Sequence, residues 1–119
     1  MGHVRVPIKL ANPDRIQETH EVDQASIDAG ATWTAVAGNL AREMGLRVVG
    51  QTTLRTATGP QVLDQSYAFI ELQGKSMVTP VVISETYPGV IIGVITLEGL
   101  GFAVDPTSGR LIDAELLLL

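Results

Sequence analysis

The stretch Asp28-Ala29-Gly30-Ala31-Thr32-Trp33 follows the semi-apolar run Ala25-Ser26-Ile27 and puts a carboxylate on a tight turn. A carboxylate displayed in this way is a candidate general acid or base. Asp and Gly are also ordinary turn residues, so the triplet alone does not separate a site from a loop. A second stretch bears on that choice. Val90-Ile91-Ile92-Gly93 lies far enough downstream to come from the other half of a small domain, and it continues as a short helical run through Val94-Ile95-Thr96-Leu97. The remaining acids, Asp14, Asp23, Asp64, Asp105, Asp113 and the glutamates, sit beside turns or at alternating solvent positions and read as surface groups. His3 and His20 are far apart in sequence and lack partners for a metal site or a Ser-His pair, so no metal and no cofactor is expected.

Asp28-Ala29-Gly30-Ala31 followed by Ile91-Ile92-Gly93 resembles the retropepsin-like (clan AA) aspartic peptidases. Their active-site turn reads Asp-Thr-Gly or Asp-Ser-Gly followed by Ala or Ser, and two apolar residues and a Gly lie across it. The resemblance runs from about Val4 to about Ile112. It implies an aspartic endopeptidase acting on extended polypeptide segments, with Asp28 as the catalytic residue and Ala29, Gly30 and Ala31 forming the active-site turn. It further implies substrate contacts from Thr32, Trp33 and Ile92, and from a glycine-bearing flap whose tip matches Ala57-Thr58-Gly59. In this family two carboxylates about 3 Å apart cannot both ionise, so one holds a proton while the other polarises water. A chain offering one such turn must then supply the second carboxylate from a symmetric copy, which makes a homodimer the implied partner.

Two departures from the family pattern carry weight. Ala29 stands where the family has a Thr or Ser hydroxyl that bonds across the dimer axis. Two symmetric losses of that bond should weaken a dimer by roughly 1 to 3 kcal/mol, or about one to two decades. The alternative reading is therefore a non-catalytic or weakened dimeric module that binds peptides. Thr32 and Val94 stand where retroviral members often carry an Asp and an Arg, so both halves of that ion pair are missing together. That pattern resembles the cellular and bacterial type. In the dimer reading, residues 115–119, and residues 4–10 with them, help to bury the contact between copies.

A length of 119 residues suits one domain, 1–119, and leaves no room for two. With 45 % apolar, 18 % charged and 4 % aromatic residues, the core must be built from Val, Ile, Leu and Ala. No cysteine is present, and Val4 to Leu10 alternate rather than form a leader, which fits a cytoplasmic protein. A net charge of -5 with scattered Lys and Arg argues against nucleic acid and membrane surfaces as partners. The terminal Leu116-Leu117-Leu118-Leu119 is far short of the about 20 apolar residues that span a bilayer.

The pattern along the chain supplies the elements that would hold such a turn. Val4, Val6, Ile8 and Leu10 alternate as a strand, in which Pro7 favours an edge. Asn12-Pro13-Asp14 reads as a turn, and residues 20–27 as a second strand that delivers Asp28. Val36, Leu40 and Met44 recur at helical spacing, stopped by Gly45. Residues 46–56 and 61–72 read as a hairpin turning at Thr58-Gly59-Pro60, residues 77–83 as a Val-rich strand, residues 102–104 as another, and residue 111 onward as a last extended piece. Many short strands with frequent turns predict an all-β fold, a closed barrel with one or two short helices, and the resemblance implies that it is of the acid-protease type and forms half of a homodimeric active site. Residues 27–46 and 90–102 also share a coarse succession of strand, Gly turn, short helix, Gly and apolar residue.

Overall fold

The computed structural model describes residues 4–114. His3 and the expected contact segment 115–119 lie outside the described residues. The described residues form nine strands and two short helices: β1 Val4–Ala11, β2 His20–Ile27, β3 Thr34–Ala37, α1 Gly38–Met44, β4 Gly50–Thr56, β5 Gly59–Leu72, β6 Lys75–Ser84, β7 Val90–Ile92, α2 Val94–Leu100, β8 Phe102–Val104 and β9 Leu111–Asp113. Strands β1 to β7 make one mixed sheet in the order β1-β2-β7-β3-β6-β5-β4, while β8 and β9 pair separately.

The alternation read in β1 is present, with Val6, Ile8 and Leu10 buried and Arg5, Pro7 and Lys9 outward. Pro7 sits at the register shift between Val6 and Ile8 in the pairing with β2. A residue without an N–H is tolerated there because the ladder is already interrupted. β5 and β6 form the long hairpin of the sheet, turning at Gln73-Gly74, where both residues have positive φ. Leu10, Ile70, Leu72, Val81, Val36 and Ile92 meet in the core from five different strands and are essentially inaccessible to solvent.

Two expectations are corrected. The fold is a mixed α/β single domain with two sheets, not an all-β closed barrel. The main sheet does not close: β4 ends it as a free edge, and β1 reaches β5 through only three residue pairs, from Lys9↔Glu71 to Ala11↔Phe69. Short strands separated by turns are compatible with either outcome, because periodicity sets which face is buried but not which edge meets which. The second correction concerns Val36, which belongs to β3 and not to a helix. The Thr34-Ala35-Val36-Ala37 segment is drawn into the sheet between β6, in parallel pairing, and β7, in antiparallel pairing. The helix begins only at Gly38, and Gly45 stops it in the left-handed conformation with φ 68°.

Asn12 ties the end of β1 to the end of that helix. Its amide nitrogen donates to the carbonyls of Met44 (3.1 Å) and Gly45 (3.0 Å), and its side-chain oxygen accepts the N–H of Asp14 (2.8 Å). These bonds satisfy carbonyls that a helix C-terminus leaves without partners. Asn12→Ala removes all three bonds at a buried position, and urea unfolding should show a loss of about 2 to 4 kcal/mol. A change within about 0.5 kcal/mol, the range of ordinary surface substitutions, would show that the turn holds without it.

Candidate functional site

β2 ends at the buried Ile27, and Asp28 is the first residue beyond it, exposed together with Ala29 and Gly30. The turn is built from its own residues. The Asp28 carbonyl accepts the Ala31 N–H at 3.1 Å, and the Asp28 carboxylate oxygen Oδ1 accepts the Gly30 N–H at 2.9 Å. Asp28 is thus oriented by the backbone two residues on, the usual local bond of Asp in a turn. Its carboxylate forms no ion pair among the described residues.

The second stretch lies directly against this turn. The N–H of Asp28 donates to the Ile92 carbonyl at 3.0 Å, the N–H of Val94 to the Ala31 carbonyl at 2.7 Å, and the N–H of Ile95 to the Thr32 carbonyl at 3.2 Å. Gly93 sits between them. A Cβ built on it would stand 2.9 Å from the Ala31 carbonyl oxygen and closer still to the carbonyl of Trp33, so only glycine admits this approach. The N–H of Gly93 donates to Thr34 Oγ1 at 3.0 Å. That hydroxyl meets Thr96 Oγ1 at 2.6 Å, and Thr96 meets Thr79 Oγ1 at 2.7 Å. All three threonines are inaccessible to solvent, and no buried side-chain polar atom among the described residues lacks a partner. Sequence reasoning did not single out this chain of hydroxyls, although Thr34, Thr79 and Thr96 each interrupt an apolar run at an inward position, which is its one visible signal.

Above the turn lies a cleft of about 470 Å³. Such a volume is within the range of small-molecule and side-chain sites, roughly 300 to 1,000 Å³. Asp28, Gly30, Ala31, Thr32 and Trp33 line its floor, joined by Ile91. The β4–β5 hairpin contributes Leu54, Arg55, Thr56, Gln61 and Leu63, the end of β6 contributes Ser84, and the segment after it contributes Thr86 and Tyr87. Ile92, expected at the substrate, is turned into the core with 0 % exposure. Side chains alternate along a strand, so its neighbour Ile91 faces the cleft instead. Ala57, Thr58 and Gly59 form the end of the hairpin and do not line the cleft. Their turn is shaped by Thr56, whose hydroxyl donates to the Gly59 carbonyl at 2.7 Å, and by Gly59 at φ 115°. Ala29 lies on the exposed side of the turn, outside the cleft lining.

Three of the other acids are engaged elsewhere. Asp14 pairs with Arg47 at 2.6 Å and Asp113 with Lys75 at 3.1 Å. Asp105 accepts the Thr107 N–H and the Ser108 hydroxyl, and these two bonds hold its carboxyl below the usual carboxylate range. Among the described residues no three His, Asp or Glu side chains converge as metal ligands. No helix among them is long and apolar enough to cross a membrane.

Neither a family model nor a curated protein matches the sequence. Among solved structures the chain is similar to EIAV protease complexed with an inhibitor, with TM-score 0.67, 15 % identity, and coverage of 98 % of this chain and 94 % of that one. It is similar also to a retropepsin-like aspartic protease from Rickettsia conorii, with TM-score 0.59, 17 % identity, and coverage of 87 % and 77 %. A third likeness is to the retroviral protease-like domain of Ddi1 from Leishmania major, with TM-score 0.57, 16 % identity, and coverage of 95 % and 87 %. The fold is that of the retropepsin-like aspartic proteases. Within this retropepsin-like fold, the approach at Gly93 is the contact that should tolerate least. Gly93→Ala meets backbone on two sides, and overpacking of that kind costs about 1 to 3 kcal/mol. Gly50→Ala meets nothing within 4 Å and serves as the control. Equal unfolding midpoints for the two variants would show that the turn gives way without cost.

Proposed function

We propose that this chain is an aspartic endopeptidase of the retropepsin-like kind, of the cellular or bacterial type, that cleaves extended polypeptide segments as a homodimer of residues 1–119, with Asp28 from each subunit forming the catalytic dyad. The observation that carries the reading is the placement of Asp28. Its carboxylate is exposed at the floor of a cleft, on a turn held by main-chain bonds to the segment around Gly93.

In that reading, Asp28 and its copy share one proton. The ionised carboxylate takes a proton from water as the oxygen attacks the carbonyl carbon, and the protonated carboxyl gives its proton to the carbonyl oxygen. Collapse of the tetrahedral species breaks the C–N bond, and a proton passes to the departing amine. Gly30, Ala31, Thr32 and Trp33 would contact the substrate from the floor. The β4–β5 hairpin, with Ala57, Thr58 and Gly59 at its end, would close from above, so the substrate lies as an added strand between them.

A second reading rests on Ala29. It has no hydroxyl with which to bond a symmetric copy, so a peptide-binding module whose dyad is loose or seldom formed is the alternative. Three proteins separate the two readings on a peptide library from acidic to neutral pH: the unaltered chain, Asp28→Ala and Ala29→Thr. The endopeptidase reading expects acid-favoured cleavage by the unaltered chain, none by Asp28→Ala, and a dimer tightened by about one to two decades in Ala29→Thr. Cleavage that survives Asp28→Ala would refute the assignment. Activity confined to Ala29→Thr would favour the weakened module.

A further inference from the structure

Residues 85–89 connect β6 to β7 and, with Ser84 at the end of β6, build one wall of the cleft through Ser84, Thr86 and Tyr87. A wall made of loop keeps its place only where it is tethered. Its two ends are held by local bonds: Ser84 Oγ accepts the N–H groups of Tyr87 at 3.1 Å and Thr86 at 3.4 Å, and the Gly89 carbonyl accepts the Ala37 N–H at 3.0 Å. Its first residue beyond β6, Glu85, is held by a charge. The Glu85 carboxylate receives two bonds from the Arg42 guanidinium of α1, Nη1 to Oε2 at 2.9 Å and Nη2 to Oε1 at 3.4 Å, a forked geometry that fixes direction as well as distance.

The same carboxylate lies on the first residue of that helix. A Cβ added to Gly38 would overlap the Glu85 carboxylate, so the carboxylate occupies space that any other residue at position 38 would fill. Gly38 is not at a positive φ, and glycine costs about 1 kcal/mol against Ala inside a helix, so nothing in the helix itself requires it there. The neighbour a Cβ there would meet is the Glu85 carboxylate, the end of a flexible side chain that would have to swing away from its place beside Arg42.

We infer that Arg42, Glu85 and Gly38 form a clamp that holds residues 84–89 against α1 and so sets the width of the cleft, Glu85 acting as a positioning residue for Thr86 and Tyr87. The effect on substrate rests on the endopeptidase reading; the clamp itself does not. Arg42 and Glu85 are 67 % and 63 % exposed, so the pair is screened by salt and its grip is modest.

Amide hydrogen exchange tests the clamp without any substrate. Arg42→Gln should speed exchange at Thr86 and Tyr87 about two- to fivefold and leave Val94 and Ile95 unchanged, and about 1 M salt should bring the unaltered chain to the same rates. Gly38→Ala should loosen these amides when Glu85 is present and do nothing in a Glu85→Ala background, since the obstacle is then gone. On a cleaved peptide, Arg42→Gln and Glu85→Gln should each raise KM by a similar factor with kcat unchanged, and the double variant should raise it no further. Unchanged exchange in Arg42→Gln, or a Gly38→Ala effect independent of Glu85, would overturn the clamp. Loosened exchange in a protein that cleaves no peptide supports the clamp and removes the peptidase reading. Cleavage whose KM ignores Arg42→Gln overturns the clamp's part in substrate fit while leaving the peptidase reading in place.

Discussion

The near-contact of two backbone segments at Gly93 is the constraint on which the site depends. An exposed turn carrying a carboxylate has little reason to keep one shape, because its residues bury almost nothing. Here the turn keeps its shape because residues 28–32 exchange three main-chain hydrogen bonds with residues 92–95 across a gap that no side chain could occupy. Main-chain bonds to an interior strand and a helix start transmit the rigidity of the core outward to Asp28. β7 supplies that rigidity, since it is fixed on both sides, in parallel with β2 and antiparallel with β3.

The hydroxyl chain beneath this contact shows how the fold handles the polarity that close approach creates. Bringing backbones together buries N–H groups, and a buried N–H without a partner costs about 1 to 3 kcal/mol. Thr34 receives the Gly93 N–H, and its own hydroxyl is then satisfied by Thr96, which in turn meets Thr79 on β6. Polar groups linked in this way reinforce one another in a low-dielectric interior, provided that none is left over. The chain of three crosses from β3 through α2 to β6, so it also fixes the helix to the sheet.

Legibility in the sequence followed the physical origin of each feature. Strand alternation, the Asp28 turn and the Gly45 helix stop are local, and they were readable because propensity and tertiary structure agree there. Val36 misled because one strand residue followed by a short helix presents apolar groups at the same spacing as a helix alone; its pairing with β6 and β7 is a long-range event that no local window contains. The Ile91-Ile92 pair has the same limit, for the motif names both residues, while the pairing of β7 within the sheet sets that Ile91 faces the cleft and Ile92 the core. Edge-to-edge contacts decided the open sheet, and the Arg42–Glu85 pairing joins residues far apart in the chain, so neither leaves a periodic trace.

The same division between local and distant support bears on Ala29. Every bond that shapes the turn is made by backbone groups, by the Asp28 carboxylate or by the Thr34 hydroxyl, and none involves the side chain at position 29. The Ala29 side chain lies on the exposed side of a turn already complete without it. A hydroxyl at that position would therefore add little to the fold of one chain, and its absence leaves the carboxylate where the backbone puts it. Whatever Ala29 changes must act between this turn and something that docks against it, which separates the question of whether the chain can hold a catalytic carboxylate from the question of how firmly two such carboxylates are brought together.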